Sequence, residues 1–411
     1  MLHQNFKLAH LIKKAFKPLV LSAGLGLSMS APAASVNTTG LAVTDKTVKV
    51  GILHSLTGTM AISETGAQEA EKLAIAQINE MGGVLGRQIE IIQEDGASDW
   101  PTFAEKSRKL LVNDKVAAVF GCWTSASRKA ALPVFEKENG LLYYPTFYEG
   151  LEQSKNVIYT GQEATQQILA GLDWVAKEKG AKTFYLIGSD YIWPRTSMKI
   201  ARKHIEKVLG GKVVGEEYKP LGDTQFGSVI NKIRLRKPDV IYAAVVGGSN
   251  VAWFKQLKAA GITGKKQTLL TISVTEDEVL GIGGENLEGF YSVMKYFQSL
   301  DNPNNEKFVK DFKAMWGDDS VIGDVTQAAY LGPWLWKAAV EKAGSFDVNK
   351  VVAASEEGIE LTTAPEGYVK LHPNHHLWSK TRVARWAKNG QATVVFESDL
   401  IEPNPFPKGY Q

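Results

Sequence analysis

From Thr47 onward the apolar and polar positions follow two alternating rhythms. "TVKVGIL" (47–53) is a β-branched, apolar run that ends at the polar loop "HSLTGTM" and predicts a strand. The next stretch, "ETGAQEAEKLAIAQINEMGG" (64–83), sets Ala67, Ala70, Leu73, Ala74, Gln77 and Ile78 near helical spacing, and its glycine pair suits a helix C-terminus. The pattern repeats. Strands are predicted over 87–95, 116–121 and 141–146, and helices over 100–114, with Pro101 near the start, and 127–139. A second series follows, with helices over 165–180 and about 194–209 and strands over 183–190 and 239–248. Helices at about 304–316 and 324–343 come next, and the tail "GYVKLHPNHHLWSKTRVARW" reads as a hairpin.

Repeated strand–helix units imply an α/β fold with mainly parallel sheets covered by helices. A chain of 411 residues is long enough for two domains of about 150–200 residues each. Open α/β sheets bind ligands at the carboxyl ends of their strands. Those ends read "HSLTG", "FGCWTS", "YYPTFYEG", "GSDYIWP", "VVGGSN" and "SVTEDE". They are polar and aromatic together, which suits a cleft between two lobes.

The first 33 residues have a different character. Lys7, Lys13, Lys14 and Lys17 precede the apolar "PLVLSAGLGLSMS", and "APA" (Ala31 to Ala33) has the small-x-small form of a cleavage site. That order predicts a secretory signal peptide. A membrane anchor is the competing reading, but a hydrocarbon core needs about 20 apolar residues. Setting those lysines aside leaves 43 Lys and Arg against 44 Asp and Glu, so the formal charge moves from +3 to −1. Neither half is dominated by one sign of charge, which argues against nucleic-acid binding. An exported chain with one cysteine, Cys122, has no internal disulfide and depends on its core.

The densest chemistry lies at "FGCWTSASR" (120–128). Gly121 permits a sharp turn after a strand. The helix start at "TSAS" offers free N–H groups and a hydroxyl, which favour a carbonyl or negative oxygen. Simple capping by Ser125 or Ser127 explains the same residues. Hydrolysis by Ser125 with His54 lacks a G-x-S-x-G stretch, and neither H-E-x-x-H nor C-x-x-C occurs. Cys122 reads as a buried, inert thiol. His372, His375 and His376 read as a solvated turn rather than a metal site, and Asp95 and Asp99 as a polar loop. "GGVLG" follows a helix rather than a strand, which disfavours a phosphate loop.

Three stretches carry a resemblance. "VKVGILHSLTG", "INEMGGVLGRQIEIIQED" and "AAVFGCWTSASRKAALPVFEKENGLLYYPTFYEG" resemble periplasmic solute-binding proteins of the branched-chain amino acid and amide group. The likeness runs from about Val48 to Trp386. "GCWTSASRKA", "YYPTFYEG" and "GSDYIWPR" are most similar to the amide- and urea-binding branch. The resemblance implies a two-lobed type I periplasmic binding protein fold that closes on a ligand. It implies three crossovers, near 161, 296 and 366, with residues 45–161 plus 297–366 in one lobe and 162–296 plus 367–411 in the other. It also implies delivery of the ligand to an ATP-driven membrane permease of the ABC transporter class, a periplasmic location, and no cofactor or catalysis.

Matching positions put Ser125 on the ligand and Trp123 beside it, with Tyr144, Thr146 and Phe147 lining the pocket. Tyr191 would close over the ligand, Val246 and Gly247 would bring backbone near it, Glu276 would supply a carboxylate to accept from amide N–H groups, and Tyr296 would complete the wall. Judged singly, these aromatic residues also suit a core. Flat rings crowding a cleft suit a small planar solute. Urea, with one carbonyl and four N–H donors, is the expected ligand, and a short aliphatic amide is the alternative. An amide-sensing cytoplasmic regulator would share the cleft but should lack residues 1–33. An enzyme would turn over urea or amide.

Overall fold

The computed structural model describes residues 40–411; the segment read as a secretory signal lies outside them. The first lobe opens with β1 (Thr47–His54), α1 (Ala61–Glu80), β2 (Gln88–Asp95), α2 (Trp100–Arg108), β3 (Val119–Gly121), α3 (Ser125–Glu138), β4 (Leu142–Tyr144) and β5 (Val157–Tyr159). The five strands form one parallel sheet in the order β2-β1-β3-β4-β5. Its two faces carry alternate side chains, as a pleated strand requires. Val48, Val50, Ile52, Phe120 and Tyr143 join Ile75 and Ile78 of α1 in one core. Val119 and Leu142 join Phe103 and Phe135 in another. Burial on both faces explains why β1 reads as a nearly continuous apolar run.

Local chemistry sets the turns. α1 stops at a glycine pair, and at Gly83 (φ +77°) a Cβ would lie 1.9 Å from the Arg87 carbonyl. Only glycine fits there. Asp99 caps α2 by accepting from the Thr102 amide (3.0 Å). The helix predicted over 100–114 is α2 followed by a wider turn over Lys109–Asn113.

The second lobe follows with α4 (Ala170–Lys179), β6 (Thr183–Ser189), α5 (Ile192–Lys207), β7 (Lys212–Lys219), α6 (Gly227–Arg236), β8 (Val240–Ala244), α7 (Ser249–Ala259), β9 (Thr268–Thr271), α8 (Glu276–Ile282), α9 (Gly284–Leu287) and β10 (Tyr291–Met294). The chain then returns to the first lobe through α10 (Pro303–Trp316), α11 (Asp324–Ala343) and α12 (Val348–Glu356). Leu331, Leu335 and Trp336 of α11 complete the core around β1.

The carboxyl-terminal strands are β11 (Glu360–Ala364), β12 (Gly367–Leu371), β13 (Leu377–Trp378), β14 (Arg382–Trp386) and β15 (Ala392–Glu397). The predicted tail hairpin divides. β12 and β13 pair antiparallel in a small sheet with β11, while β14 pairs with β10 and β15. The second sheet therefore has the order β15-β14-β10-β9-β8-β6-β7. The switch to it comes between Trp378 and Arg382, not near 366. Val369, Leu371 and Leu377 are apolar and fill the first lobe's core, and Tyr159 bridges to His376.

The histidine stretch is also not a solvated turn. His375 and His376 are buried, and the flat ring of His376 stacks on Tyr159 (centroids 4.3 Å apart) and on Tyr148 (5.7 Å). Burial pushes His376 down to about 3, so the ring is neutral. It donates from Nδ1 to the Asn374 carbonyl (2.8 Å) and accepts at Nε2 from Tyr148 (2.6 Å). The final residues lie across both lobes. The Leu151 amide donates to the Pro405 carbonyl (2.7 Å), and Tyr410 bonds to His204 (2.6 Å). Among the described residues no helix is long and apolar enough to cross a membrane.

Candidate functional site

The carboxyl ends of β3 and β4 meet the start of α5. Gly121 (φ +133°) makes this possible, because a Cβ there would lie 2.0 Å from the Leu53 carbonyl of β1. The cap of α3 is Thr124, whose side chain accepts from the Ser127 amide (3.0 Å), and not Ser125 or Ser127. Thr124 has the extended backbone that a cap needs, while Ser125 is already helical. The Ser125 hydroxyl is therefore free to donate to Glu149 Oε2 (2.6 Å). Tyr144 donates to the Trp123 carbonyl (2.6 Å), which fixes the Trp123 loop.

Aromatic rings close the space between the lobes. Trp123 meets Phe147 edge-on with centroids 5.6 Å apart. Phe147 of the first lobe contacts Trp193 of the second at 5.5 Å, and Tyr191 lies 6.5 Å from Trp193 and 6.1 Å from Trp100. Trp123, Tyr144, Phe147 and Trp193 are all buried. Two hydroxyls in this wall, those of Thr146 and Tyr191, are buried without a hydrogen-bond partner among the described residues. Burial, followed by the nearby Tyr144 and Glu149, holds the Tyr191 hydroxyl well above its ordinary range.

Against the wall lies a charge network that local sequence patterns did not reveal. Arg128 is fully buried and donates through Nε to Glu152 (2.6 Å) and through Nη1 to Ser125 (3.2 Å). Its guanidinium lies over the rings of Tyr144 and Tyr148, 4.6 Å from each centroid. Burial alone would raise the Glu152 carboxyl, but Arg128 and Lys129 outweigh it and hold it at about 2. Glu149 stands two residues after Phe147, so its loop was recognisable in the sequence while its partners were not.

Val246 and Gly247 stand at the end of β8, and the Val246 amide donates to Ser189 Oγ (3.1 Å). The close approach that Gly247 permits is to the opposite lobe, where a Cβ would lie 2.8 Å from the Thr59 carbonyl and 3.0 Å from Met60 Sδ. The neighbouring Gly248 amide donates to that carbonyl (3.1 Å).

Glu276 and Tyr296, expected at the ligand, belong to a second cluster. Tyr296 donates to Asn305 (2.6 Å) and packs with Phe308, Phe312 and Ile322. Glu276 accepts from the Gln298 amide (2.8 Å), and burial pushes its carboxyl up to about 8. Beside it, Asp277 of the second lobe accepts from the Gly323 amide (3.1 Å) and the Thr326 hydroxyl (2.9 Å) of the first. Burial first, and Glu278 second, push Asp277 up to about 8.

The arrangement suits binding rather than acid–base chemistry. His54 is committed to Glu64 (3.3 Å) and Glu71 (3.0 Å). Burial would lower its pKa, but the two carboxylates hold it at about 10, so it is a cation at neutral pH and no general base. Cys122 is buried, and its thiol is pushed up to about 12.

Residues 48–411 match the periplasmic binding protein domain family. The chain is 27% identical over 312 residues to a leucine-, isoleucine-, valine-, threonine- and alanine-binding protein of Pseudomonas aeruginosa, covering 75% of this chain and 82% of that one. Its fold is similar to an ABC transporter solute-binding protein from R. palustris in complex with 4-hydroxybenzoate (TM-score 0.79, 22% identity, 89% of this chain and 100% of that one). It is also similar to a branched-chain amino acid transporter substrate-binding protein from Streptococcus pneumoniae in complex with isoleucine (TM-score 0.75, 21% identity, 87% and 100%).

Proposed function

The chain belongs to the periplasmic binding protein family, as a solute-binding protein of the ABC transporter class, and on that premise we propose that its solute is urea. Residues 1–33 would supply export, and the loaded protein would pass urea to an ATP-driven permease. The observation that carries the reading is the aromatic wall between the lobes. Phe147 and Trp193 stand 5.5 Å apart from opposite lobes, so aromatic ring faces from both lobes bound the site. A planar solute of a few atoms can lie against the ring faces. The unpartnered Thr146 and Tyr191 hydroxyls supply a donor for a carbonyl and acceptors for N–H groups. Buried polar groups left unpaired by a poorer ligand make such a site selective.

Titration calorimetry with urea, acetamide, leucine and benzoate tests the proposal. A saturable urea isotherm, tighter than that of acetamide, is the expected result. Tight binding of acetamide, leucine or benzoate with no urea heat overturns it.

A further inference from the structure

We infer that Glu149 sets the chemical class of the solute: its buried carboxylate selects a neutral molecule carrying paired N–H groups and rejects one carrying a carboxylate. The inference rests on the reading of the cleft as the urea site.

Glu149 is 2% exposed. Its Oε2 is occupied by the Ser125 hydroxyl. Its Oε1 is buried and has no hydrogen-bond partner among the described residues. Arg128 Nη2 lies 3.7 Å from it, beyond hydrogen-bond reach. The other arms of that guanidinium are taken by Glu152 and Ser125. Lys129 is also given to Glu152 (2.7 Å). One carboxylate oxygen therefore remains to be satisfied, and a buried one is costly to leave unmet. Glu149 follows Phe147 in the same loop, and its Ser125 partner opens α3 at the carboxyl end of β3. A solute amide can donate to Oε1. A solute carboxylate would bring like charge against it. The two solved relatives named above hold isoleucine and 4-hydroxybenzoate, both of which carry a carboxyl group.

The test compares wild type with Glu149→Gln, whose amide oxygen can still accept from Ser125. Calorimetry is run with urea, acetamide, leucine and benzoate, and thermal unfolding confirms that each variant is folded. Urea presents two NH₂ groups and acetamide one, so a carboxylate that reads the second amide controls the ratio of their affinities. In Glu149→Gln the urea affinity and the urea-to-acetamide ratio should each fall by roughly tenfold or more. General loosening of the protein would not move the ratio. If Glu149→Gln does not fold, Glu149→Asp keeps the charge, withdraws the oxygen and should lower the same ratio. A wild type that binds urea, with a ratio unchanged in the folded variant, overturns this inference alone. A wild type that ignores urea and binds leucine or benzoate overturns the urea reading itself.

Discussion

Gly247→Ala isolates the contact between the lobes. Gly247 has φ +60°, and an added Cβ would stand 2.8 Å from the Thr59 carbonyl and 3.0 Å from Met60 Sδ, both on the opposite lobe. Two costs follow, and they fall on different measurements. The left-handed backbone costs an alanine about 1–2 kcal/mol whether or not the lobes touch, so it lowers stability. The clash exists only when the lobes meet. Relieving it means drawing the loop back and giving up the Gly248–Thr59 hydrogen bond, worth about 0.5–1.5 kcal/mol. That loss lowers the share of binding-competent molecules and weakens urea affinity by roughly 2- to 12-fold. Gly180→Ala is the control. It has φ +62° with nothing within 4 Å of an added Cβ, so it carries the strain without the contact. Both variants should lose a few degrees of Tm, and only Gly247→Ala should lose affinity by calorimetry. Equal urea affinities in the two variants would show that the bound state does not use the Gly247–Thr59 contact.

Other expectations follow from the same geometry. Trp123→Ala removes a ring face and widens the site, and should weaken urea binding by about 2–3 kcal/mol in a titration. Arg128→Met leaves Glu149 and Glu152 buried without their cation and should cost about 3–5 kcal/mol of stability in guanidinium chloride unfolding. Asp277 is raised in the folded protein, so its contribution is complete below the ordinary carboxylate range and is lost as pH rises through about 8. Wild-type Tm should therefore fall between pH 5 and pH 9, Asp277→Asn should flatten that slope, and identical slopes would count against the placement. Cys122 should resist a thiol reagent in the native protein and react at a normal rate once unfolded.

Much of this fold was visible in the pattern of apolar positions. β1 alternates Val48, Val50 and Ile52 toward one core, and α11 carries Leu331, Leu335 and Trp336 at helical spacing toward the same one. β5 is not legible, because Val157–Tyr159 stands alone between the polar "SKN" and "TGQ", while β3 and β4 sit in longer apolar runs. α8 begins inside the strand end "SVTEDE", where Thr275 and Glu278 form a capping box, a signal present in the sequence. The third lobe switch was misplaced because β12 and β14 look alike as strands, and only packing decides which sheet each joins. At the site, the aromatic residues and hydroxyls stood at strand ends, where topology puts ligands. Tyr296 and Glu276 also lie near strand ends but turn toward Asn305 and the Gln298 amide. The Arg128–Glu149–Glu152 network joins residues 21 and 24 positions apart, and no local rhythm encodes such a pairing.

The routing of the chain between its two sheets has a consequence for how the protein is made. β10 has β14 as its antiparallel neighbour, and the core around β1 includes Leu371 and Leu377. Neither lobe can be completed by a contiguous stretch of chain. During synthesis, which runs from the amino terminus, the first 350 or so residues would carry one sheet with an open edge and one core short of its last strands. Contacts this distant in sequence form late and slowly. A chain with this routing stays unsealed until its final segment emerges, and both lobes close together at the end.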